Sequence, residues 1–404
     1  MSELSYLEKL LDGVEVEWLS LGELGDFIRG NGLQKKDFVE SGFPAIHYGQ
    51  IYTRYGLSAD KTFTYVLPEL ANKLRKAQKN DLLLATTSEN DEDVVKPLAW
   101  LGDNVAISGD MMLFRHEQNV KYLAYFFQSE IFQTQKMKYI TGAKVRRVSS
   151  GDLSKIKIPI PSSNNPEKSL TIQSEIVRIL DKFTALTAEL TAELTAELTM
   201  RKKQYNYYRD QLLSFDEGEV EWKMLGDLGE NLDSKRKPIT SGLREAGSIP
   251  YYGASGIVDY VKDYIFDGDF LLISEDGANL LARNTPIAFS ISGKSWVNNH
   301  AHVIKFDSYA ERRYVEYYLN SIDLAPYISG AAQPKLNKKN LESIRIPNPS
   351  PEDKERIVSI LDKFDALTNS INEGLPREIE LRQKQYEYYR DLLFSFPRPE
   401  TASN

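Results

Sequence analysis

The sequence contains no cysteine, only four histidines among 404 residues, and no apolar run long enough to span a membrane. The missing cysteines exclude disulfides, thiolate zinc sites and cysteine nucleophiles. So few histidines leave little capacity for metal chemistry, and we predict no metal site. The first residues, MSELSYLEKLLDG, have neither the basic start nor the apolar stretch of a signal peptide. These absences predict a cytoplasmic protein.

Positive charge is also scarce, because 50 Lys and Arg stand against 58 Asp and Glu and give a net charge of −8. Sequence-independent binding of nucleic acid depends on neutralising phosphates with Lys and Arg. The charge balance therefore excludes a protein that coats nucleic acid indiscriminately, although local basic clusters can still bind it.

Catalytic motifs are missing as well. SISGKSW at 290–296 ends like a phosphate-binding loop, but Ala288 stands where that loop needs its first glycine, and the segment is predicted to be a strand. There is no HExxH, GxSxG, zinc-deaminase or Asn-Pro-Pro-Tyr pattern. We therefore predict that the chain by itself is not an enzyme.

The chain does contain an internal duplication. Stretches of the first half return in the same order in the second half, which indicates two units built on one plan. Residues 6–18 also resemble 208–222, so the organisation is cyclic. The matched stretches are GVEVEWLSLGELG (13–25) with EGEVEWKMLGDLG (217–229), residues 139–162 with 327–350, IVRILDKFTALT (176–187) with IVSILDKFDALT (357–368), and residues 202–215 with 383–396.

Each half consists of a diverged region followed by a helical segment. The diverged regions contain short strand-like runs such as DLLLATT and DFLLIS, followed by a helix-like stretch. We predict an α+β fold, a tandem pseudo-twofold duplication of two α+β domains separated by long antiparallel coiled-coil helices. The predicted boundaries are 1–12 for an N-terminal helical piece, 13–158 for the first domain, 159–216 for a central helical spacer, 217–346 for the second domain, 347–397 for a C-terminal helical spacer and 398–404 for a tail.

The central spacer has the apolar spacing of a coiled-coil seam. From Ile172 through Leu186 to Leu190 the apolar residues alternate steps of four and three. No Gly or Pro occurs from 168 to 216, which predicts a long uninterrupted helix. In the second spacer, Gly374 and Pro376 predict a kink or a break.

LTAELTAELTAELT at 186–199 repeats one four-residue unit three times within this helix. Replication slippage in a solvent-facing helix is one explanation. The other is a ruler, because a continuous helix converts each added residue into a fixed displacement, whereas a flexible linker does not.

Basic residues cluster at predicted loops and helix ends, and two clusters fall at equivalent positions of the duplication. Arg and Lys bond to phosphates and guanine edges, and Gln and Asn can address adenine, so these positions are candidate DNA contacts. A solvated charged loop is the alternative for any single cluster. The candidates are Lys73, Arg75, Lys76, Lys79, Lys144, Arg146, Arg147, Ser149, Lys235, Arg236, Lys237, Gln333, Lys335, Asn337, Lys338 and Lys339.

WVNNHAHV at 296–303 is polar where a strand should be apolar. Asn298, Asn299 and His300 are further candidates for base or phosphate contacts, with a satisfied polar network at a strand end as the alternative. His300 and His302 are predicted to share one strand face, but no third metal ligand accompanies them.

The start of each half (EVEWxxLG(D/E)LG), the IPxPS, IVxILDKFxALT and KQYxYYRD motifs of both halves, and the TAEL array resemble the specificity subunit of type I restriction–modification systems, IC group. The resemblance extends over nearly the whole chain. It implies a non-catalytic subunit whose two target-recognition domains each read half of a bipartite, asymmetric site in double-stranded DNA. It also relates the number of TAEL units to the length of the spacer between the half-sites.

The resemblance further implies that the helical spacers dock two modification (methyltransferase) subunits, and that restriction subunits complete the complex. S-adenosylmethionine, ATP and Mg are then expected on those partners, and no cofactor in this chain. A coiled-coil scaffold that pairs two proteins without touching DNA is the alternative function, and an independent enzyme is a distant third. The candidate partner contacts, with packing between the helices as their alternative, are Tyr205, Tyr207, Tyr208, Tyr386, Tyr388 and Tyr389.

Overall fold

The computed structural model describes residues 9–11, 13–330, 333–370 and 373–396. Of the predicted terminal pieces, 1–12 lies outside the described residues except for 9–11, and the tail lies entirely outside them. Within the described ranges, no helix combines the length and apolarity needed to cross a membrane.

The chain forms two compact units. The first combines residues up to Ala192 with those from Glu380 onward, and the second runs from Glu193 to Ile379. Each unit mixes helices with sheets, which confirms the predicted α+β duplication.

The first unit is built from short apolar strands. They are β1 Val16–Ser20, β2 Gly25–Arg29, β3 Phe38–Val39, β4 Phe43–Ile46, β5 Ser58–Ala59, β6 Thr64–Val66, β7 Lys76–Ala77, β8 Leu82–Ala85, β9 Thr87–Ser88, β10 Lys96–Trp100, β11 Val105–Ile107, β12 Met111–His116, β13 Arg146–Arg147 and β14 Lys157–Pro161. Two five-stranded sheets have the orders β2-β12-β8-β10-β5 and β3-β6-β4-β11-β7. Strand β8 lies at the centre of its sheet, and all four of its residues are buried. This is why its sequence is a continuous apolar run.

The first half of the chain also contains helices, and the last of them forms the central spacer. They are α1 Leu21–Leu24, α2 Tyr48–Thr53, α3 Pro68–Ala71, α4 Val120–Gln128, α5 Glu130–Met137, α6 Ser150–Leu153 and α7 Pro166–Leu212, with one 3-10 turn at Lys35–Asp37. Asn119 is the N-cap of helix α4, and its side chain accepts hydrogen bonds from two backbone N–H groups of the first turn. Tyr122 and Phe126 of α4 are fully buried, and each such side chain contributes roughly 1.5–3 kcal/mol by burial.

The second unit has one six-stranded sheet. The strands of this unit are β15 Glu221–Met224, β16 Glu230–Asn231, β17 Ala246–Gly253, β18 Gly256–Val261, β19 Phe266–Ser274, β20 Ala288–Val297, β21 Ala301–Lys305 and β22 Arg345–Asn348. The six-stranded sheet has the order β16-β21-β19-β20-β17-β18, and β15 and β22 form a separate pair. Its helices are α8 Leu225–Leu228, α9 Asn279–Ala282, α10 Tyr309–Ser321, α11 Lys338–Glu342 and α12 Pro351–Asn369, and 3-10 turns lie at Asp233–Lys235, Ser241–Leu243 and Ala325–Tyr327. The last helix of the described residues, α13 (Leu375–Leu392), begins in this unit and ends in the first.

Two of the duplicated stretches pair with each other in both units. Strand β1 runs antiparallel to β14, with Trp18 opposite Pro159. Strand β15 runs antiparallel to β22 in the same way, with Trp222 opposite Pro347. In each two-stranded ribbon, the strand at the beginning of a diverged region pairs with the strand at its end. We call these two ribbons clasps.

The helical spacers differ in continuity. Helix α7 is one unbroken helix of 47 residues that passes through the TAEL array, about 70 Å at 1.5 Å per residue. In the second copy, α12 ends at Asn369 and α13 begins at Leu375, which confirms the predicted break. Gly374 adopts φ +81°, and a Cβ there would approach the backbone oxygen of Ala366 to 2.5 Å, so a side chain is excluded at this position.

The coiled-coil seam is only partly as predicted. Ile172 and Ile176 are buried, but Leu186, placed on the same seam, is 51% exposed. The buried residues around them include Val177 and Leu180, so the helix presents a broad apolar stripe to the core of the first unit. Leu186 therefore lies off the buried face, whereas Leu190, Leu194 and Leu198 further along the helix are half-buried.

Candidate nucleic-acid interface

Both units build the same hairpin from the second duplicated stretch. Thr141 and Arg147 exchange two backbone hydrogen bonds of 2.9 Å, and Ser329 and Lys335 exchange two of 2.8 Å. The turn needs glycine in each copy, since a Cβ on Gly142 or on its equivalent Gly330 would lie within 2.5 Å of a backbone oxygen. The matched basic residues thus stand at the same point of two equivalent turns.

Each hairpin is paired with the loop that follows the central strand of its sheet. In the first unit, Arg146 and Arg147 pair antiparallel with Ser88 and Thr87. In the second unit, Lys335 forms a bridge with Asp276, within the SEDGANL segment. We call each such pair of segments a loop–hairpin module.

In the first unit, the loop is held from both sides. The Arg146 Nε lies 2.8 Å from a carboxylate oxygen of Asp91, while the buried Lys136 donates to the backbone oxygens of Glu92 and Val94 at 2.8 and 3.0 Å. Burial lowers the pKa of Lys136 to about 8, although the neighbouring Asp93, Asp91 and Glu92 favour its charged form. Lys144 and Arg147 remain exposed on the hairpin.

In the second unit, a buried ionic network lies behind the hairpin. Both ring nitrogens of His302 face acceptors: Nδ1 lies 2.6 Å from the Asp233 carboxylate and Nε2 lies 2.7 Å from the Leu336 carbonyl oxygen. The Arg236 guanidinium donates to Glu275 at 2.7 Å.

This network sets the ionisation of its two acids. Burial opposes the ionisation of Asp233, but the hydrogen bond and charge of His302 outweigh it, so the pKa of Asp233 is lowered. Burial likewise opposes the ionisation of Glu275, and the hydrogen bond from Arg236 with the charges around it lowers that pKa as well. Both groups are therefore carboxylates at neutral pH.

Asp233, Glu275 and His302 lie close enough together to serve as metal ligands. Their donor atoms are already engaged, however. Arg236 and Lys335 bind the carboxylate of Glu275, and the Leu336 carbonyl takes the second nitrogen of His302. Cationic side chains thus stand where a metal ion would, and the arrangement is that of a structural network.

The prediction that His300 and His302 share one strand face is wrong. His302 lies in β21 and is buried, whereas His300 lies in the turn before the strand and is exposed, because the strand starts only at Ala301. His300 Nδ1 lies 2.9 Å from the Asp276 carboxylate. Asn298 is 7% exposed and accepts a hydrogen bond from the His300 backbone N–H, which is the polar network considered as the alternative, while Asn299 is exposed.

A cleft of about 780 Å³ opens beside the loop–hairpin module of the second unit. Both polar and apolar side chains line it. Its lining residues are Asp276, Gly277, Ala278, Leu281, Ala282, His300, Gln333 and Pro334. Two predicted contact residues, His300 and Gln333, are brought together here.

Ser149 and Asn337 occupy matched positions for a structural reason that the sequence interpretation missed. The Ser149 side chain accepts from the Asp152 N–H at 3.1 Å, and the Asn337 side chain accepts from the Asn340 N–H at 3.0 Å. Both residues are N-caps, of α6 and α11. The short polar residue three positions before the bonded N–H was the available signal.

The remaining basic candidates lie elsewhere in the two units. In the cluster at Lys73, Arg75, Lys76 and Lys79, the Asn31 side chain bonds to the backbone oxygen of Lys73 and the backbone N–H of Arg75, and the Lys76 side chain lies over the ring of Phe43. Lys235, Lys237 and Lys339 are exposed, and Lys338 lies 3.6 Å from Glu342.

The six spacer tyrosines divide into packed and exposed members. Tyr205 packs on Phe364, and burial raises its pKa to about 12, while Tyr386 accepts a hydrogen bond from Thr184. The rings of Tyr389 and Tyr208 stack on Phe183 and Phe364 respectively. Tyr207 and Tyr388 are 62% and 50% exposed. Each exposed ring meets its neighbouring tyrosine edge to face at 5.4 Å.

Comparison with known proteins places these features in context. The family model of the type I restriction modification DNA specificity domain matches residues 13–200 and 217–381. The specificity subunit of the type I restriction enzyme EcoR124I/EcoR124II of Escherichia coli is 43% identical over 429 aligned positions, which cover 100% of both chains. The specificity subunit of EcoprrI, also from Escherichia coli, is 39% identical over 92% of this chain and 93% of its own.

Solved structures show the same fold at low identity. A chain from a study of complex assembly and conformational transition in a type I R-M system aligns with a TM-score of 0.62 and 15% identity, over 94% of this chain and 97% of that one. The HsdS subunit from Thermoanaerobacter tengcongensis aligns with a TM-score of 0.53 and 16% identity, over 94% of this chain and 96% of that one.

Proposed function

From the premise that the chain belongs to the type I restriction–modification DNA specificity family, we propose that each of its two units reads one half of a bipartite, asymmetric site in double-stranded DNA. The observation that carries this proposal is the loop–hairpin module. It occurs once per unit, with basic side chains at the same turn. Two modules of one design match a site that is read in two parts.

The residues of the modules and of helix α11, which follows the second hairpin, take different roles in this proposal. Arg147, Lys144, Lys338 and Lys339 are exposed and neutralise phosphates, which positions the units without selecting a sequence. Gln333 and His300 at the cleft read base edges, since a glutamine amide can pair with adenine.

Other predicted contacts act as positioning residues. Arg236 has its guanidinium engaged by Asp233, Glu275 and the Ala301 carbonyl, so it holds the loops in place and does not meet phosphate directly. Ser149 and Asn337 fix the helix that follows each hairpin.

The proposal also concerns the partners. We assign the chain to the IC group on its TAEL array and propose that it works in the cytoplasm without catalysing a reaction itself. Two modification subunits carrying S-adenosylmethionine dock on the helical spacers, and restriction subunits using ATP and Mg complete the assembly. The exposed pairs Tyr207–Tyr208 and Tyr388–Tyr389 support two equivalent docking places, because their geometry is nearly the same. Tyrosine is also enriched at protein interfaces.

Combined Tyr207→Ala and Tyr388→Ala substitutions are expected to weaken assembly with the modification subunits by about tenfold or more, as loss of interface aromatic anchors does. The thermal midpoint of the chain should stay unchanged, because both rings are mostly exposed. Titration by analytical ultracentrifugation measures the effect. Tyr260→Ala, which removes a similarly exposed ring from β18, serves as the control, and equal weakening by that variant contradicts the docking proposal.

The length of α7 is proposed to set the distance between the half-sites. Helix α7 is continuous through the TAEL array, and the boundary between the two units falls inside the array, between Ala192 and Glu193. Each unit of four residues lengthens an α-helix by about 6 Å. Addition or loss of one TAEL repeat therefore changes the length of the helix at the boundary between the first and the second compact unit.

The test of DNA recognition is charge reversal on a hairpin. Arg147→Glu is expected to weaken binding of the full chain, assembled with its modification subunits, to DNA bearing its methylation site by about tenfold. It should also reduce the slope of log affinity against log salt by about one. Fluorescence anisotropy at several salt concentrations measures both quantities.

The control for this test is Lys61→Glu, at an exposed lysine of the same unit outside the module. The scaffold alternative expects Arg147→Glu to behave like that control. Unchanged affinity and unchanged methylation in cells carrying Arg147→Glu would reject the module as the DNA-binding element and favour the scaffold.

A further inference from the structure

Each loop–hairpin module contains an ion pair between a hairpin base and a loop acid. In the first unit, Arg146 and Asp91 meet at 2.8 Å, and their side chains are 33% and 36% exposed. In the second unit, Lys335 and Glu275 meet at 3.1 Å, with the lysine 51% exposed. A basic residue on each hairpin is therefore neutralised by its own module.

The two acids do not occupy equivalent positions. Asp91 comes after the loop residues Thr87 and Ser88 that pair with the hairpin. Glu275 comes before Asp276, the residue that forms the bridge in the second unit. The bases are also one alignment position apart, since Arg147 and not Arg146 is the counterpart of Lys335. Copying of a single contact during duplication does not account for both ion pairs.

We propose that Asp91 and Glu275 are specificity-determining residues, because each occupies a hairpin base that would otherwise bind any DNA phosphate. The inference rests on the proposed function. When DNA approaches, the phosphate replaces the carboxylate on the base, so one anion is exchanged for another. The displaced carboxylate then lies near the phosphate and repels it. The base consequently contributes little to binding of DNA that offers no further contact.

A matching sequence changes this balance. Base contacts at the module hold the matching DNA in place. Their free energy then outweighs the repulsion between the phosphate and the displaced carboxylate. Specificity is a difference between two affinities, and it rises when the wrong partner is weakened more than the right one.

The test is removal of one acid's charge at constant size. Asp91→Asn in the full chain, assembled with its modification subunits, is expected to raise the affinity for a duplex lacking the site by about two- to fivefold, the range expected for loss of one surface ion pair. Affinity for the matching duplex should rise less, so the ratio of specific to non-specific affinity falls. Competition binding with the two duplexes measures that ratio.

Glu89→Gln is the matched control, because Glu89 is an exposed acid of the same loop without an ion pair in the part of the chain that the structure describes. It should leave the ratio unchanged. If Asp91→Asn strengthens both affinities equally, or acts no differently from Glu89→Gln, general charge explains the result and the inference is overturned. A wild-type assembly with no preference for the matching duplex overturns the proposed function itself, so the two failures can be told apart.

Discussion

Removing residues 195–198 from the central helix is expected to abolish methylation at the sites that the unaltered chain recognises. Methylation should move to sites with the same two half-sites and a spacer shorter by about one base pair. The physical reason is that α7 is continuous through these residues, so a deletion cannot be absorbed as it would be in a flexible linker. Sequencing of methylated adenines across a host genome measures the outcome.

The four-residue unit suits a change of one base pair in phase as well as in length. Four residues turn an α-helix by about 400°, which leaves a net rotation of about 40°. One base pair turns B-DNA by about 35°, since a helical turn contains 10 to 10.5 pairs. A unit added to the protein and a base pair added to the DNA therefore rotate the two ends by similar amounts in the same right-handed sense. The rise of about 6 Å per unit exceeds 3.4 Å per pair, which an oblique helix accommodates.

The phase argument supplies its own control. Inserting three residues, Ala-Glu-Leu, lengthens the helix by about 4.5 Å but rotates it by about −60°, against the sense of the DNA. This variant should methylate poorly at every spacer length, whereas insertion of a fourth TAEL unit should restore methylation at a longer spacer. Equal tolerance of three and four residues, or a change in the half-sites themselves, contradicts the ruler.

Asp233→Ala is expected to lower the free energy of unfolding of the second unit by about 3–5 kcal/mol, because it removes one partner of a buried, hydrogen-bonded ionic network. The Asp233 carboxylate accepts from the His302 ring at 2.6 Å and from the Val303 N–H at 3.0 Å, and Arg236 lies 3.3 Å away. Urea unfolding followed by the loss of protection of the unit's amides in hydrogen exchange measures the effect. Asp267→Ala, at an exposed position of β19, should change the free energy by less than about 0.5 kcal/mol.

The network also predicts a pH dependence with a definite sign. The pKa values of Asp233 and Glu275 are lowered in the folded chain. Their contribution to stability is therefore complete above the ordinary carboxyl pKa of about 4 and is lost as the pH falls through the lower folded values. In Asp233→Ala, the free energy of unfolding should therefore fall less steeply with decreasing pH than in the unaltered chain. An equally steep fall contradicts the assignment of this pH dependence to Asp233.

Much of the architecture follows from repetition in the sequence. The duplicated stretches mark the clasps, the hairpins and the spacers, and the break near Gly374 follows from the backbone freedom of glycine. These features depend on local patterns, so a single sequence reveals them. The exposure of Leu186 could not be predicted in this way, because it depends on which face of the helix is buried.

The site was harder to predict for a related reason. The candidate DNA contacts were chosen because they are basic, but residue type does not show which basic side chains are already paired with an acid. Arg236 and Arg147 look alike in the sequence, yet one is engaged by two buried acids and the other is exposed. The matched pair Ser149 and Asn337 was predicted to contact DNA, and the structure shows that both side chains cap helices. Contacts between distant segments decided each of these cases.

The clasps have a consequence for how such a chain can change. In an antiparallel pair the strands lie about 5 Å apart, so each diverged region leaves its clasp and returns to it at almost the same place. The region behaves as an interchangeable cassette whose two ends are fixed by Trp18 with Pro159, or by Trp222 with Pro347. A foreign cassette with compatible ends can replace it without altering the helices that follow. On the proposed function, exchange of a whole cassette would change one half-site in a single step.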